Sequence, residues 1–383
     1  MKGHIGDVNA VGISPSSDVV VTGGQDGTVR LWRRSDGSEI CALIGTGPDR
    51  WAVVTPEGRF DTANLDEVKG LHWMFPDDPF HPLNPEIYLR DYYEPRLLSR
   101  LLFSTDLNEF RPIRPLESLD RAVPLKPTIR ISRENNSDTV TVEIDVAGDS
   151  YTLESNAAQP MHTGVYDVHL FRDGQLVREY PETKDTTPDG ITGSALKQWR
   201  EDKLVVDYPA KRTLTFKGIK MPHRDEGQQV EFTAYGFNDD RVKSSVGSAP
   251  TAPLTGEPHR RAFLITIGVN YYGGSGWDLR YAVKDAMTIS NVLGSALGKV
   301  GYTVQPSLVT ADDSQQQATK VGIQRAIERV ARNASPDDLV FVFFSGHGYS
   351  GKESGFYLLP SDARPTEIKW VRLLWDDGPC NGI

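Results

Sequence analysis

The stretch Asp337-Asp338-Leu339-Val340-Phe341-Val342-Phe343-Phe344-Ser345-Gly346-His347-Gly348-Tyr349 decides how the C-terminal part of this chain is read. The unbroken apolar run from Leu339 to Phe344 is the pattern of a strand buried on both faces. The strand ends at Ser345, and a histidine follows between two glycines. These small neighbours strip away side-chain bulk and leave an imidazole at a strand's carboxyl end. Open α/β sheets place their chemistry there. A histidine titrates near neutrality and can serve as a general base, although a His-Gly pair can also do no more than close a turn.

The residues upstream supply context. Ala262-Phe263-Leu264-Ile265-Thr266-Ile267-Gly268-Val269-Asn270 reads as a second buried strand. Leu279 to Leu293 reads as a helix and Thr303 to Val309 as a strand. Ser314 to Ala334 reads as a long helix, with Val321, Ile323, Ala326, Ile327, Val330 and Ala331 at helical spacing. The result is a βαβαβ alternation that ends on His347, the pattern of an α/β domain with a parallel sheet.

On these residues, segment 260–365 resembles the caspase-like cysteine peptidases in their metacaspase-type bacterial branch. The matching pieces are the strand Ala262–Asn270 with Tyr271 after it, the run Leu279-Arg280-Tyr281-Ala282-Val283-Lys284-Asp285-Ala286, the run Phe344 to Tyr349, and Phe356-Tyr357-Leu358-Leu359-Pro360-Ser361-Asp362. The resemblance implies proteolysis of protein or peptide substrates by a Cys-His dyad; the sequence itself offers no cofactor motif and no metal-ligand set, and leaves metal dependence open. His347 would be the base that takes the thiol proton and returns it to the leaving amine. The Gly348 N–H would be an oxyanion-hole donor. Asp285 would receive a basic Arg or Lys side chain at P1. It also stands in the first turn of a predicted helix, where the helix dipole favours a carboxylate without any ligand. Ala282 departs from the family, which places a cysteine lining that pocket.

The larger departure is the nucleophile. The family cysteine follows a further buried strand, about 50 residues after the histidine, in a pattern like Asp-Ala-Cys-His-Ser-Gly. Here the cysteine after His347 is Cys380, in Asp376-Asp377-Gly378-Pro379-Cys380-Asn381-Gly382-Ile383. Pro379 is wrong for a cysteine held at a strand end. The remaining strand candidate, Trp370 to Trp375, is interrupted by Arg372. The expectation is an incomplete caspase-like domain with the base His347, no nucleophile in Cys380, and part of its sheet edge exposed. Two functions follow: a cysteine endopeptidase, or a catalytically inactive interaction scaffold or gene fragment.

Residues 1–60 carry a second pattern. Gly3-His4 is followed by alternating Val8, Val11 and Ile13, then Ser14-Pro15, then Val19 to Trp32 with Asp26-Gly27 as a hairpin turn. This is similar to one WD repeat. The resemblance implies that His4, Thr22, Asp26 and Trp32 form a hydrogen-bonded structural set and that protein partners bind through this region. Arg33 stands where the family usually has Asp. Trp51 to Phe60 reads as another hairpin. One blade cannot bury its own faces, since about three repeats are needed for stability, so a propeller-blade remnant is expected.

Between the two lie a Pro- and aromatic-rich connector and an all-β segment. The connector, 61–126, holds His72, Trp73, Phe75, Phe80, Tyr88, Tyr92 and Tyr93, read as packing against a neighbouring domain, and a short amphipathic helix over Glu94–Leu102. Residues 127–247 show about seven short strands with regular turn signals, the pattern of an immunoglobulin-like β-sandwich. Within it, 180–200 reads as a polar loop, and His162, His169 and His223 read as scattered surface or core residues. Residues 248–259 read as a Pro-containing linker before the peptidase-like domain, 260–383. The architecture expected is multidomain: all-β parts followed by an incomplete α/β domain.

Bulk properties set the remaining bounds. A chain of 383 residues accommodates two or three domains. Its net charge of −10 offers no basic footprint for nucleic acid. Cys41 and Cys380 make no disulfide framework and no metal-ligand spacing, which suits a reducing cytoplasm. No apolar run reaches the length of a membrane span, and the N-terminus shows no signal-peptide pattern.

Overall fold

A computed structural model of the chain describes residues 2–47, 50–63, 72–75, 78–103, 110, 112–119, 121–134, 137–152, 160–182, 193–258, 260–273, 276–312, 317–350 and 356–363. The structure is mostly β with few helices. It divides into one unit of residues 1–132, 141–217 and 231–250 and a second of residues 133–140, 218–230 and 251–383.

The first unit opens with an antiparallel meander of β1 (Val8–Ile13), β2 (Val19–Gly24), β3 (Thr28–Arg33), β4 (Glu39–Gly47), β5 (Arg50–Val54) and β6 (Phe60–Thr62), in that order across one sheet. The hairpin read at Trp51 to Phe60 therefore extends the same sheet. Gly27 sits at φ +74°, the left-handed conformation that a tight hairpin turn demands. A register shift between Leu31 and Trp32 against β4 lets both consecutive side chains bury, which strict alternation would forbid. The outermost strand β1 is exposed along its length.

The connector supplies its own elements: β7 (Trp73–Phe75), β8 (Asp78–Leu83), α1 (Leu89–Tyr92) and α2 (Leu97–Phe103). Leu97 of α2 packs with Leu31, Cys41 and Val53 of the meander. Phe60, Phe75, Ile87, Tyr88, Tyr92 and Leu119 cluster with Val242 from the segment beyond. The Tyr88 ring meets Trp73 and Tyr92 edge-on at 5.8 and 5.7 Å. Rings in that arrangement are worth about 0.5–1.5 kcal/mol beyond their area. Phe75, Tyr88 and Tyr92 thus form a core, with Trp73 and Tyr93 packed against it.

The all-β segment holds β9 (Thr128–Ser132), β10 (Thr139–Ala147), β11 (Asp149–Tyr151), β12 (Met161–Thr163), β13 (Val165–Arg172) and β14 (Gln175–Tyr180), then α3 (Gly193–Lys203), β15 (Leu204–Val206), β16 (Lys211–Lys220), β17 (Val230–Phe237) and β18 (Gly247–Thr251). One sheet runs β16-β10-β9, and another runs β14-β13-β17-β18 with β15 on β13. Two expectations change. The polar stretch 180–200 ends in a helix, because Leu196, Trp199 and Lys203 make a narrow buried stripe on α3. The stretch read as a linker from 248 begins as β18, because the ladder of β17 extends to it.

The second unit carries β19 (Arg261–Val269), α4 (Ala282–Lys299), β20 (Thr303–Ala311), α5 (Lys320–Asn333), β21 (Leu339–Ser345), β22 (Gly348–Ser350) and β23 (Phe356–Leu358). β19, β20 and β21 form a parallel sheet in the order β20-β19-β21. The central strand is buried from Ala262 to Val269. β20 carries Pro306, which an edge strand tolerates. The two crossovers run in opposite directions, so right-handed connections put their helices on opposite faces. The packing agrees. Phe263, Ile265, Ile267 and Val269 meet Ile323, Ala326 and Val330 of α5, whereas a Cβ on Gly268 would lie 2.6 Å from the Ala282 carbonyl oxygen of α4. β21 edges this sheet among the described residues, with Val340 and Val342 nearly half exposed.

Both helices begin later than their periodicity predicts. Leu279 donates its N–H to the Asn270 carbonyl, and the Asn270 side chain accepts from Val283, so strand end and helix start are tied across the loop. α5 starts after Thr319, whose hydroxyl accepts from the Gly322 N–H at 3.1 Å as an N-cap. α4 runs on to Lys299, past Gly294 and Gly298, with Lys299 as the basic residue of its last turn.

Candidate active site

His347 follows β21, and the loop 270–281 follows β19, so both lie at the carboxyl end of adjacent parallel strands. There the chain direction switches across the sheet. The loop is folded back on itself: the Asp278 carboxylate accepts from the Tyr272 N–H at 2.7 Å. This brings two groups to the histidine. The Trp277 carbonyl oxygen lies 2.7 Å from His347 Nε2. The Tyr272 hydroxyl lies 2.8 Å from the His347 backbone nitrogen, and the two rings are 5.1 Å apart.

The first contact sets the tautomer. A carbonyl oxygen can only accept, so Nε2 carries the proton. Nδ1 then presents its lone pair, the form a neutral base needs. Tyr272 is buried, which pushes its phenol above the usual range and keeps it protonated, against a smaller opposing effect of the His347 N–H. Gly348 opens β22 opposite Leu358, and the Leu359 N–H donates to the His347 carbonyl at 2.9 Å.

Asp285 lies in the first turn of α4 and is exposed. The Ser345 hydroxyl, at the end of β21, donates to its Oδ2 at 3.3 Å. Asp285 lines an open cleft of about 410 Å³ together with Tyr281, Lys284, Thr288, Ile289 and Phe343. The structure thus brings Asp285 to the carboxyl end of the strand that bears His347. Ala282 is buried against β19. Cys380 and the strand candidate Trp370 to Trp375 lie outside the described residues. Cys41 is buried in the meander, and its thiol is pushed up to about 12 by that burial, with help from Glu39.

The residues that sequence reading missed are Tyr272 and Trp277. Tyr271, quoted for the resemblance, instead gives its backbone N–H to Ala311. Trp277 acts through a carbonyl that any residue has, so no side-chain signal marks it. His223 and His169, read as scattered, both meet carboxylates: His223 Nδ1 lies 2.7 Å from Asp337, and His169 Nε2 lies 3.3 Å from Asp167.

In the N-terminal sheet, His4, Thr22, Asp26 and Trp32 come together. Trp32 Nε1 donates to Thr22 Oγ1 at 2.7 Å. Thr22 Oγ1 is 2.7 Å from His4 Nε2, and His4 Nδ1 is 3.0 Å from both Asp26 oxygens. A carboxylate only accepts, so the proton sits on Nδ1, and the hydroxyl relays between indole and imidazole. Burial opposes ionisation of Asp26, but the N–H groups of Ile5 and Thr28 and the side chains of Thr28 and His4 outweigh it and hold the carboxyl well below its usual range.

Among the described residues, Asp167, His169 and Glu179 form a group whose ligand atoms lie close enough to hold a cation. Lys203 Nζ and the Arg90 guanidinium stand 3.1 and 2.6 Å from Asp167. They already balance that carboxylate, and a metal ion there would face two positive side chains. No helix among the described residues is long and apolar enough to cross a membrane.

Two segments of the chain are similar to known protein families. Residues 260–359 match the metacaspase, peptidase C14 domain, and residues 1–33 match the WD domain, G-beta repeat. Metacaspase-1 of Meyerozyma guilliermondii is 29% identical over 126 residues, 29% of this chain and 30% of that protein. Metacaspase-1 of Ajellomyces capsulatus is 35% identical over 97 residues, 24% of this chain and 26% of its own length. Metacaspase-1 of Emericella nidulans is 36% identical over 92 residues, 23% and 21% of the two chains. The chain thus spans less than a third of the length of these relatives. Residues 260–359 are similar to metacaspase, peptidase C14 domains, and residues 1–33 are similar to a single WD repeat.

Proposed function

We propose that the C-terminal domain is the base-bearing half of a cysteine endopeptidase site, with His347 as general base. The observation that supports this is the Trp277 carbonyl on Nε2, which leaves the Nδ1 lone pair free to take a thiol proton. The Gly348 N–H would face the developing oxyanion. Asp285, oriented by Ser345, would pair with an Arg or Lys side chain at P1 in the cleft beside α4. Lys284 in the same cleft opposes either cation, and an Arg at P1 is expected to bind better than a Lys because its guanidinium fork can engage the carboxylate bidentately. The N-terminal sheet would bind protein partners, and the two sheets of 127–247 would form an immunoglobulin-like spacer. Unpaired Cys41 suits a reducing, cytoplasmic setting.

A second reading rests on the cysteines. Cys41 is held as a buried thiol, and Cys380 follows a proline. With neither as nucleophile, this chain would act as an interaction scaffold without hydrolysis. The test is hydrolysis of fluorogenic peptides with Arg, Lys or Asp at P1 by the full chain, compared with His347→Ala, Asp285→Ala and Cys380→Ala. Cleavage after Arg that all three substitutions abolish establishes the peptidase and makes Cys380 the nucleophile. Activity no higher than that of His347→Ala leaves the scaffold reading.

A further inference from the structure

The loop that follows β19 holds His347 at two points, and they act on different parts of the residue. Trp277 holds the ring through Nε2. Tyr272 holds the backbone: its hydroxyl accepts from the His347 N–H at 2.8 Å and reaches the Leu359 carbonyl at 3.4 Å. One hydroxyl can do both, since it has one proton to give and lone pairs to accept with. The Leu359 N–H in turn donates to the His347 carbonyl. The hydroxyl is therefore a cross-link between the loop after β19 and the β22–β23 hairpin, with His347 at the crossing. Tyr272 is 1% exposed, so its ring and hydroxyl are packed away from bulk water. Gly346 makes room for it: a Cβ there would lie 2.8 Å from Tyr272 Oη and 2.8 Å from the Phe344 ring.

We infer that Tyr272 is the positioning residue of this site, aiming Nδ1 of His347 by fixing the backbone from which the imidazole hangs while Trp277 fixes the far side of the ring. A ring fixed only at Nε2 can pivot about that contact, and a ring fixed only through its backbone can rotate about its side-chain torsions. With both, the lone pair has one direction. The role of His347 as a base rests on the function proposed above, but the cross-link is testable without any hydrolysis.

The experiment uses the full chain labelled with ¹⁵N-histidine, as wild type and as Tyr272→Phe, with His347→Ala to assign the signals. Phenylalanine keeps the ring contact and removes the hydroxyl alone. The expected result is amide exchange at His347 about tenfold or more faster in Tyr272→Phe, the scale of one lost buried hydrogen bond. The His347 side-chain nitrogens should shift from a single Nε2–H tautomer toward a mixture, while the His4 signals stay in place. A purely packing role would leave the tautomer untouched. Gly346→Ala, which drives a methyl group against the hydroxyl, should give the same signature, and adding Tyr272→Phe to it should relieve part of the strain. If peptide hydrolysis is observed, Tyr272→Phe should lower kcat with KM unchanged. Unchanged exchange and tautomer in both single variants would overturn the inference, whether or not the chain cleaves peptides. Absence of hydrolysis with the expected exchange and tautomer changes would count only against the peptidase reading.

Discussion

His347 Nε2 and the Trp277 carbonyl oxygen stand 2.7 Å apart, and this one contact assigns the two ring nitrogens different roles. The carbonyl belongs to the loop after β19, and the histidine follows β21. The pairing of these parallel strands, in register from Ala262 opposite Leu339 to Gly268 opposite Ser345, is what brings them together.

The neutral imidazole of His347 should therefore be protonated at Nε2 and bare at Nδ1. Nitrogen shifts recorded in the alkaline limit should show a pyrrole-like Nε2 and a pyridine-like Nδ1. The reverse assignment would remove the basis for a base at Nδ1. Trp277→Ala keeps the carbonyl, so it should preserve the tautomer and lose only the edge contact between the rings.

At the other end of the sheet, Asp338 links the starts of β19 and β21. Its carboxylate is 1% exposed and accepts from the Arg261 guanidinium at 2.5 Å, from the Arg261 N–H at 3.2 Å and from the Ser335 N–H at 2.7 Å. Burial opposes its ionisation, and these donors with the Arg261 charge outweigh it, so the carboxyl lies below its usual range. A lowered folded value means stability that is present above the unfolded value, near 3.9, and lost as pH falls through the folded one. Asp338→Asn should cost about 2–3 kcal/mol at pH 7. The difference from wild type should hold between pH 7 and 5 and shrink only below about pH 4. A gap in denaturation midpoint that closes already between pH 7 and 5 would contradict this.

Much of this was legible because its signals are local. The run Leu339 to Phe344 marks β21, and the periodicity of Ile323, Ala326 and Val330 marks the face of α5 that the core receives. Asp26-Gly27 marks a hairpin by turn chemistry alone. What was not legible is geometry between distant residues. The hydroxyl of Tyr272 meets the amide of His347 only after the strands pair. Trp277 contributes a backbone group common to every residue. α3 escaped notice because Leu196, Trp199 and Lys203 make too thin an apolar stripe in a polar stretch, and one of the three is charged. Lys203 is buried there because Asp167 waits for it.

Cys41 is chemically silent on this structure. Its side chain is fully buried among Leu31, Val53 and Leu97, and the thiol is pushed up to about 12 by that burial and by Glu39. The thiolate is the reactive species, so a thiol held protonated should not react at neutral pH. In Cys380→Ala protein, Ellman's reagent should give no prompt signal until denaturant is added. A fast native-state reaction would show that the meander opens at β3–β5 far more readily than its packing implies.

The strongest test of the first unit is Asp167. It is 1% exposed and adopts φ +46°, a left-handed conformation rare for a residue with a side chain. It receives Arg90 from α1, Lys203 from α3 and His169 from its own strand. Burial opposes its ionisation. The His169 ring at 3.3 Å and the Arg90 and Lys203 charges more than compensate, so the carboxyl is held far below its ordinary range. Asp167→Asn leaves Lys203 buried without this counter-charge, and breaking such a pair from one side costs about 3–5 kcal/mol. Removing both charges is a different matter, because neither is then stranded. Asp167→Asn combined with Lys203→Met should recover a large part of the loss. Because the folded value is depressed, the contribution is complete above about pH 4 and is lost only in stronger acid. Thermal melts of the two variants at pH 7 decide the point: a double variant no more stable than Asp167→Asn would mean that the carboxylate is needed to hold the strained backbone of β13 and not to balance Lys203.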